Sequence, residues 1–195
     1  TATTEIYTLS LHDALPIYPE IPLRLRIAGD GPCKDEYLRL SDSLGVSDIT
    51  TWLGFISQEE AAVEWANMDL AIVPSVTDSE SFGVSAVEAE ACQIPVIISD
   101  VPGLMEATQP GVTSTVVTRR SAQALADAIV LLYDNPDVRK RMGEAGRKLA
   151  VEKYDYELCF ENIEKILLHM AKNKKGKRGR ERMRWIGYSC ILPEL

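Results

Sequence analysis

Two glutamates, Glu80 and Glu88, stand eight positions apart on either side of the dipeptide Phe82-Gly83. An uncharged apolar run at residues 70–73 precedes them, and a helical pattern begins just after the first glutamate. A strand, a loop and a helix start in this order aim free backbone N–H groups at an anion. Because Gly83 has no side chain, a ligand can come close to the backbone at this position.

The charge of the two glutamates narrows the kind of ligand. A helix N-terminus favours a phosphate, whereas nearby carboxylates repel one and instead accept hydrogen bonds from hydroxyl groups. A nucleotide-sugar carries both a diphosphate and sugar hydroxyls, so it fits both features. Glu88 lies about 1.5 turns into the predicted helix, roughly 7 Å along its axis, which suits a diphosphate at the tip and a ribose beside the helix.

The elements that must position this motif alternate between strand and helix. Strands are predicted at residues 23–27, 49–53, 70–73, 94–99 and 113–117, and helices at 34–44, 58–68 and 103–107 and from about residues 81, 122, 136 and 155 onward. Ser57 and Glu60 are expected to form a capping box at the second helix, and Ser121 to cap the helix from residue 122. This alternation predicts an α/β fold built on a parallel sheet with right-handed crossovers. Ligands of such sheets bind outside the carboxyl ends of the strands, where Gly29, Gly54 and Ser75 are expected to lie.

The motif around the two glutamates resembles the E-x7-E signature of retaining GT-B glycosyltransferases of the GT4-type group. Neighbouring motifs agree with that family in order and spacing, at residues 27–32, 52–55, 68–75, 95–97 and 103–106. The resemblance covers about residues 18–168. It implies a Rossmann-like, donor-binding C-terminal half of a GT-B fold, whose acceptor-binding N-terminal domain is missing here.

The resemblance also implies a set of donor-binding residues: Gly29, Ile56, Glu80, Phe82, Gly83, Val84 and Glu88. In this interpretation Glu88 binds ribose hydroxyls, and Glu80 binds a hydroxyl of the donor sugar as the catalytic-site acid. The amides around Gly83 face the diphosphate and the sugar. Ile56 lies where relatives line the base pocket, and Gly29 lets a phosphate or sugar pass close to its backbone.

Each of these residues also has a purely structural interpretation. Glu88 forms a capping box with Ser85 if the helix starts at the residue after that serine, and Glu80 can be an exposed loop acid. Gly29 can be a turn glycine, and a core or surface role for Ile56 is as well supported as a ligand contact. The order of the surrounding motifs favours the functional interpretation for both glutamates.

No metal and no cofactor is expected, because the nucleotide-diphosphate sugar is a co-substrate. The chain holds only two histidines, His12 and His169, and it has neither a D-x-D pair nor a Cys/His ligand spacing. A diphosphate leaving group needs cationic assistance. The resemblance implies that an Arg and a Lys supply it from sequence that precedes the matching region.

The net charge of −8 is unevenly distributed, since residues 172–184 hold eight Lys/Arg and one Glu. The acidic remainder argues against nucleic acid as a partner. Four widely spaced cysteines suit a reducing cytosol, so a cytoplasmic location is expected. The basic segment can make a weak contact with the inner membrane surface, and the alternative is a solvated tail.

Both ends of the chain depart from the family pattern. Residues 7–17 resemble the conceptual translation of a widely used sequencing-adaptor oligonucleotide. We therefore expect residues 1–17 to be an artefact outside the fold, residues 18–171 to form the nucleotide-sugar-binding domain, and residues 172–195 to be a basic, disordered tail. Inside the domain, Gln93 and Ser114 stand where the family usually has Gly.

The sequence therefore predicts the donor-binding portion of a hexosyltransferase-type glycosyltransferase, truncated and with little activity alone. Such an enzyme moves a sugar from a nucleotide-diphosphate donor to an acceptor hydroxyl. The alternatives are a non-catalytic nucleotide-sugar-binding domain, part of a GT-B epimerase or phosphorylase, and a protein that binds surfaces through its basic tail.

Overall fold

The computed structural model describes residues 13–78 and 80–175, and the chain divides into two units at residue 155. The strands within these residues are β1 (Leu25–Ala28), β2 (Thr50–Gly54), β3 (Ala71–Val73), β4 (Val96–Ser99) and β5 (Ser114–Val117). The α-helices are α1 (Lys34–Ser43), α2 (Gln58–Ala66), α3 (Val84–Ala91), α4 (Pro102–Ala107), α5 (Ala122–Asp134), α6 (Pro136–Tyr154) and α7 (Tyr156–Lys175). Short 3-10 helices lie at Leu15–Ile17 and Ser47–Ile49.

Every strand pairing is parallel, which confirms the predicted fold class. β1 pairs with β2, and β4 lies between β3 and β5. The hydrogen-bonded ladder is nevertheless in two pieces, a two-stranded and a three-stranded sheet, instead of one continuous sheet. All four residues of β4 are buried, as an uncharged run in a covered parallel strand should be.

Helices cover both faces of β4, and its alternating side chains divide the core into two clusters. Ile97 belongs to the cluster that contains Leu125 and Ile129 of α5. Its neighbours on the strand, Val96 and Ile98, belong to the other cluster, with Ala86 and Ala89 of α3. This period of two is what a strand between two helical layers requires.

The expectation that the fold begins after residue 17 is wrong for residues 13–17. Ala14 and Leu15 are buried, with 2% and 8% of their surface exposed, and they pack with residues of α5 such as Ile129. Because these apolar side chains are buried against α5, residues 13–17 are part of the core. Residues 1–12 lie outside the described residues, and the adaptor origin of the segment stays a prediction.

The predicted helix starts are confirmed where a side chain caps the helix. Ser57 and Glu60 form the expected capping box at α2, with the Glu60 amide donating to Ser57 Oγ at 3.2 Å. Ser121 Oγ accepts from the amide of Ala124 at 3.2 Å at the start of α5. Asn135 precedes α6 without capping it, because its side-chain amide donates to the carbonyl of Leu131 at 2.7 Å.

The start of α3 differs from the predicted one. Gly83 is its N-cap and has a left-handed backbone with φ 76°, so the right-handed helix begins only at Val84 and not near residue 81. The capping box between Ser85 and Glu88 therefore does not form, because Ser85 lies inside the first turn. The interpretation of Glu88 as the capping-box partner of Ser85 is therefore wrong, and its ligand role stays a prediction.

Helix α3 ends with Gln93 in the left-handed region. The amide of Ile94 donates to the carbonyl of Ala89 and the amide of Gln93 donates to the carbonyl of Glu90, both at 3.0 Å. These two bonds are a Schellman motif, whose left-handed position favours glycine. The φ of Gln93 is 64°, so the helix end keeps this geometry although a side chain replaces the usual glycine.

The described part of the second unit is α7. Its large exposed apolar residues include one stripe with a spacing of four and three: Tyr156, Phe160, Ile163, Leu167 and Met170. The helix continues to Lys175, so the predicted disordered tail does not begin at residue 172, and residues 176–195 lie outside the described residues. No helix in the described part of the chain is long and apolar enough to cross a membrane.

Candidate functional site

The loop after β3 brings Glu80 to the N-terminus of α3. The amide of Gly83 donates a hydrogen bond to Glu80 Oε1 at 3.0 Å, so this amide does not face an external anion as expected. Among the described residues, the next two amides, of Val84 and Ser85, have no acceptor. They lie at the positive end of the helix dipole and are the groups that an anion can reach.

Two glycines fix this loop against α4. A Cβ on Gly83 would stand 2.4 Å from Leu104 Cδ2, and a Cβ on Gly103 would stand 2.4 Å from the carbonyl oxygen of Glu80. Two structural features therefore favour glycine at position 83: its left-handed φ and its close contact with Leu104. The sequence suggested a ligand approach at Gly83, whereas the structure shows that its Cβ side faces the core.

Glu88 lies on the first part of α3, four residues after Val84 and about 6 Å further along the axis. Its side chain is half-buried, and so is that of Glu80. Phe82 lies in the loop between them and is 38% exposed. Five of the seven predicted residues therefore lie together on one loop and one helix start: Glu80, Phe82, Gly83, Val84 and Glu88.

The remaining predicted residues, Gly29 and Ile56, lie at the carboxyl ends of β1 and β2. The amide of Gly29 donates to the carbonyl of Gly54 at 2.7 Å, and its φ of 137° is one that glycine accepts readily. Ile56 is half-buried and comes directly before the Ser57 cap of α2. These two residues follow strands of the two-stranded sheet, whereas the loop of Glu80 follows β3 of the three-stranded sheet, so their part in one common site stays a prediction.

Arg119, just after the carboxyl end of β5, is a residue near the loop of Glu80 that the sequence did not reveal. It follows β5 and donates from its guanidinium to Asp78 Oδ1 at 2.7 Å and to Asp100 Oδ1 at 3.1 Å. It also donates to the carbonyl of Asp100 at 2.6 Å, and its amide donates to Asp100 Oδ1 at 2.9 Å. The hydrogen bond from the backbone amide of Arg119 is the main reason why the pKa of Asp100 is lowered. The hydrogen bond to Asp78 is the main reason why the pKa of Arg119 is raised.

The C-terminal end of α6 supports the same loop through aromatic packing. The ring of Tyr154 meets that of Phe82 edge to face, with 5.3 Å between the ring centroids. The Tyr154 hydroxyl donates to the carbonyl of Ala107 at 2.8 Å, at the end of α4. Lys153 Nζ donates to the carbonyl of Glu106 at 3.2 Å and lies 4.9 Å from the Tyr154 ring centroid.

Glu90 is a buried acid on the face of α3 that packs against α6. It is 0% exposed, and neither carboxylate oxygen has a hydrogen-bond partner of good geometry among the described residues. Burial raises its pKa to about 7, and Thr113 and Lys153 oppose that rise only in part. A Cβ on Gly146 of α6 would stand 3.0 Å from the Glu90 side chain, so α6 packs closely against this acid.

The family model of glycosyl transferases group 1 matches residues 10–149, more than half of the chain. The match includes part of the segment that was expected to lie outside the fold. A D-inositol 3-phosphate glycosyltransferase from Mycobacterium bovis (strain BCG / Pasteur 1173P2) is 36% identical over 152 residues, which cover 77% of this chain and 30% of the relative. The chain thus spans about a third of the length of such relatives.

Two solved structures have the same fold. The UDP-glucose complex of Anabaena Alr3699/HepE superposes with a TM-score of 0.77 at 23% identity, over 86% of this chain and 46% of that one. The C-terminal domain of a glycosyl transferase group 1 family protein, LpcC from Francisella tularensis, superposes with a TM-score of 0.67 at 22% identity, over 78% of this chain and 82% of that one. The chain therefore belongs to the glycosyl transferases group 1 family, and its fold is that of a GT-B C-terminal domain.

Proposed function

We propose that this chain is the donor-binding part of a retaining glycosyltransferase that moves a sugar from a nucleotide-diphosphate sugar to an acceptor hydroxyl. The observation that carries the proposal is the start of α3. Two backbone amides that have no acceptor within residues 13–78 and 80–175 stand there beside Glu80, and Glu88 follows about one turn later. This arrangement offers donors for a diphosphate and acceptors for hydroxyl groups within one short segment.

Each group has a separate task in this proposal. The amides of Val84 and Ser85 and the helix dipole stabilise the negative charge that grows on the diphosphate as the sugar leaves. Glu88 accepts hydrogen bonds from the ribose hydroxyls. Glu80 holds a hydroxyl of the donor sugar, while Gly83 donates to the same carboxylate and sets its orientation.

The base and the remaining phosphate contacts are assigned to the edge formed by β1 and β2. Gly29 brings a backbone without a side chain to this edge, and Ile56 offers an apolar surface to a nucleobase. Phe82 completes the wall of the site on the side of α3. The transfer needs neither a metal nor an organic cofactor in this proposal, because backbone amides and cationic side chains carry the charge of the leaving group.

The comparisons support a nucleotide-sugar as the donor. The Anabaena protein of similar fold is described in complexes with UDP and with UDP-glucose. The relative from Mycobacterium bovis is named a D-inositol 3-phosphate glycosyltransferase, which supports transfer to a hydroxyl group. Because this chain spans 30% of that relative, we assign the acceptor site to the rest of the protein and expect little transfer by these residues alone.

We further assign a cytoplasmic location with a weak contact between residues 172–184 and an anionic membrane surface. Within the part of the chain that the structure describes, Cys33, Cys92 and Cys159 form no disulfide bond, which suits a reducing compartment. The basic run directly follows the exposed apolar stripe of α7. Salt-sensitive binding of the chain to anionic vesicles, reduced when residues 172–184 are deleted, is the expected result.

Calorimetric titration with UDP-, GDP- and ADP-sugars tests the donor site. We expect at least one of them to bind the parent chain, and we expect Glu88→Ala to weaken that binding about 10- to 100-fold, as the loss of a charged hydrogen-bond acceptor does. Glu144→Ala, at an exposed glutamate of α6, is the matched control and should bind like the parent. Absence of binding to all three sugars, or equal affinity of the two variants, would refute the proposal.

A further inference from the structure

We propose that Arg119 is a positioning residue for the donor loop, acting through Asp78 to hold the segment that carries Glu80. This role rests on the proposed function for its consequence in donor binding, but the ordering of the loop is a property of the free protein. It adds to the donor site a residue from a different strand, whose partner Asp78 lies 41 positions away in the chain.

The geometry makes Arg119 a bridge between three strand ends. Its amide and guanidinium make three hydrogen bonds to Asp100, so the arginine is fixed on the side of β4. Its remaining described bond reaches Asp78, which is two residues before Glu80. One end of the guanidinium is thus held by the sheet, and the other end holds the loop.

Two glycine contacts fix the loop near α3. Gly83 packs on Leu104, and Gly103 lies against the backbone of Glu80 and Ser81. The Arg119 bond at Asp78 therefore adds a second point of attachment on the far side of Glu80. Together, the two attachments hold the Glu80 carboxylate beside the N-terminus of α3.

Exposure indicates that the contact between Arg119 and Asp78 contributes to position more than to global stability. The side chain of Asp78 is 72% exposed and that of Arg119 is 30% exposed. Ion pairs in such surroundings add little to the free energy of unfolding. Loss of the pair should therefore release the loop without unfolding the domain.

Only arginine can make this bridge. Its planar fork carries five donors in fixed directions, whereas a lysine ammonium is one compact charge on a flexible stem. Arg119 uses separate guanidinium nitrogens for Asp78, the Asp100 carboxylate and the Asp100 carbonyl. We expect Arg119→Lys to keep the positive charge and lose the bridge.

Amide hydrogen exchange tests the ordering of the loop without any ligand. In Arg119→Gln, and also in Arg119→Lys, we expect faster exchange in peptides covering residues 74–84, including the Gly83 amide, with an unchanged melting temperature. Arg26→Gln is the matched control, because Arg26 makes a two-bond ion pair with Glu64 on another part of the surface. Unchanged exchange in the loop of Arg119→Gln, or an equal change in Arg26→Gln, would overturn the proposal.

Titration with the nucleotide-sugar that binds the parent chain tests the consequence. We expect Arg119→Gln and Asp78→Asn each to weaken binding about two- to fivefold, the factor that corresponds to an exposed ion pair, and the double variant to weaken it no further. Tighter binding by Asp78→Asn together with weaker binding by Arg119→Gln would mean that Arg119 contacts the phosphates directly, and it would overturn positioning through Asp78. If the parent binds none of the sugars while the loop exchange behaves as expected, the proposed function fails and the positioning role stands.

Discussion

Glu90 provides a direct test of how the helix that carries the candidate site is held in the fold. It is fully buried where α3 packs against α6, and in the described part of the chain its carboxylate has no hydrogen-bond partner of good geometry. Desolvation by burial raises its pKa from 4.5 to about 7. The folded protein therefore binds a proton at this position that the unfolded chain releases at lower pH, and stability must depend on pH.

The sign and the size of the effect follow from this pKa. Below pH 4.5 the carboxyl group is neutral in the folded and the unfolded state, so its ionisation does not lower the free energy of unfolding. Between pH 4.5 and about 7 only the unfolded state ionises, so the stability of the parent protein falls, and above pH 7 the loss is complete. A difference of about 2.5 pH units at about 1.4 kcal/mol per unit amounts to about 3.5 kcal/mol.

Unfolding of the parent and of Glu90→Gln in urea, at pH 5 and at pH 8, measures this loss. The glutamine has the same shape without the charge, so we expect its advantage over the parent to grow by roughly 2–3 kcal/mol between the two pH values. Glu144→Gln at an exposed position of α6 controls for general charge effects. If the parent and Glu90→Gln respond equally to pH, Glu90 is ionised at no cost and the reasoning from its burial is wrong.

Substitutions at two further positions, Gln93 and Tyr154, test the contacts that support α3 and the loop before it. We expect Gln93→Gly to raise the free energy of unfolding by roughly 0.5–1 kcal/mol in denaturant titrations, because glycine occupies the left-handed position without strain, and a decrease would contradict this. We expect Tyr154→Phe to lower it by about 1 kcal/mol through the lost bond to Ala107, and Tyr154→Ala to lower it by about 1 kcal/mol more through the lost edge-to-face contact with Phe82. Equal losses in the two Tyr154 variants would show that the ring contact contributes nothing.

The parts of the fold that the sequence predicted are those with a local signal. The run before Pro74 and the capping box at Ser57 each lie within a few consecutive residues, and both elements are present. The start of α3 was misplaced because the backbone angle of Gly83 cannot be read from composition. The segment with Ala14 was excluded because its apolar residues show their purpose only when α5 packs against them.

The parts of the candidate site that the sequence missed depend on long-range contacts. Arg119 pairs with Asp78 across 41 positions, and the Tyr154 ring meets Phe82 from the end of a different helix. No periodicity marks such pairs, since each partner lies in a segment that is explained by other features. The glutamates were found because both lie within one short motif, Glu80 in the loop and Glu88 on the helix that the loop opens.

The packing of α3 against α6 explains why α3 tolerates two unfavourable features, the left-handed Gln93 and the buried Glu90. A Cβ on Gly143 would stand 2.0 Å from the carbonyl oxygen of Gln93, and Gly146, three residues later, lies against Glu90. Two glycines on one face of α6 thus let the helices approach so closely that backbone contacts hold α3 in place. Gln93 and Glu90 both lie at this interface. The position of Glu88, on the same helix as Glu90, therefore depends on how tightly α6 holds α3.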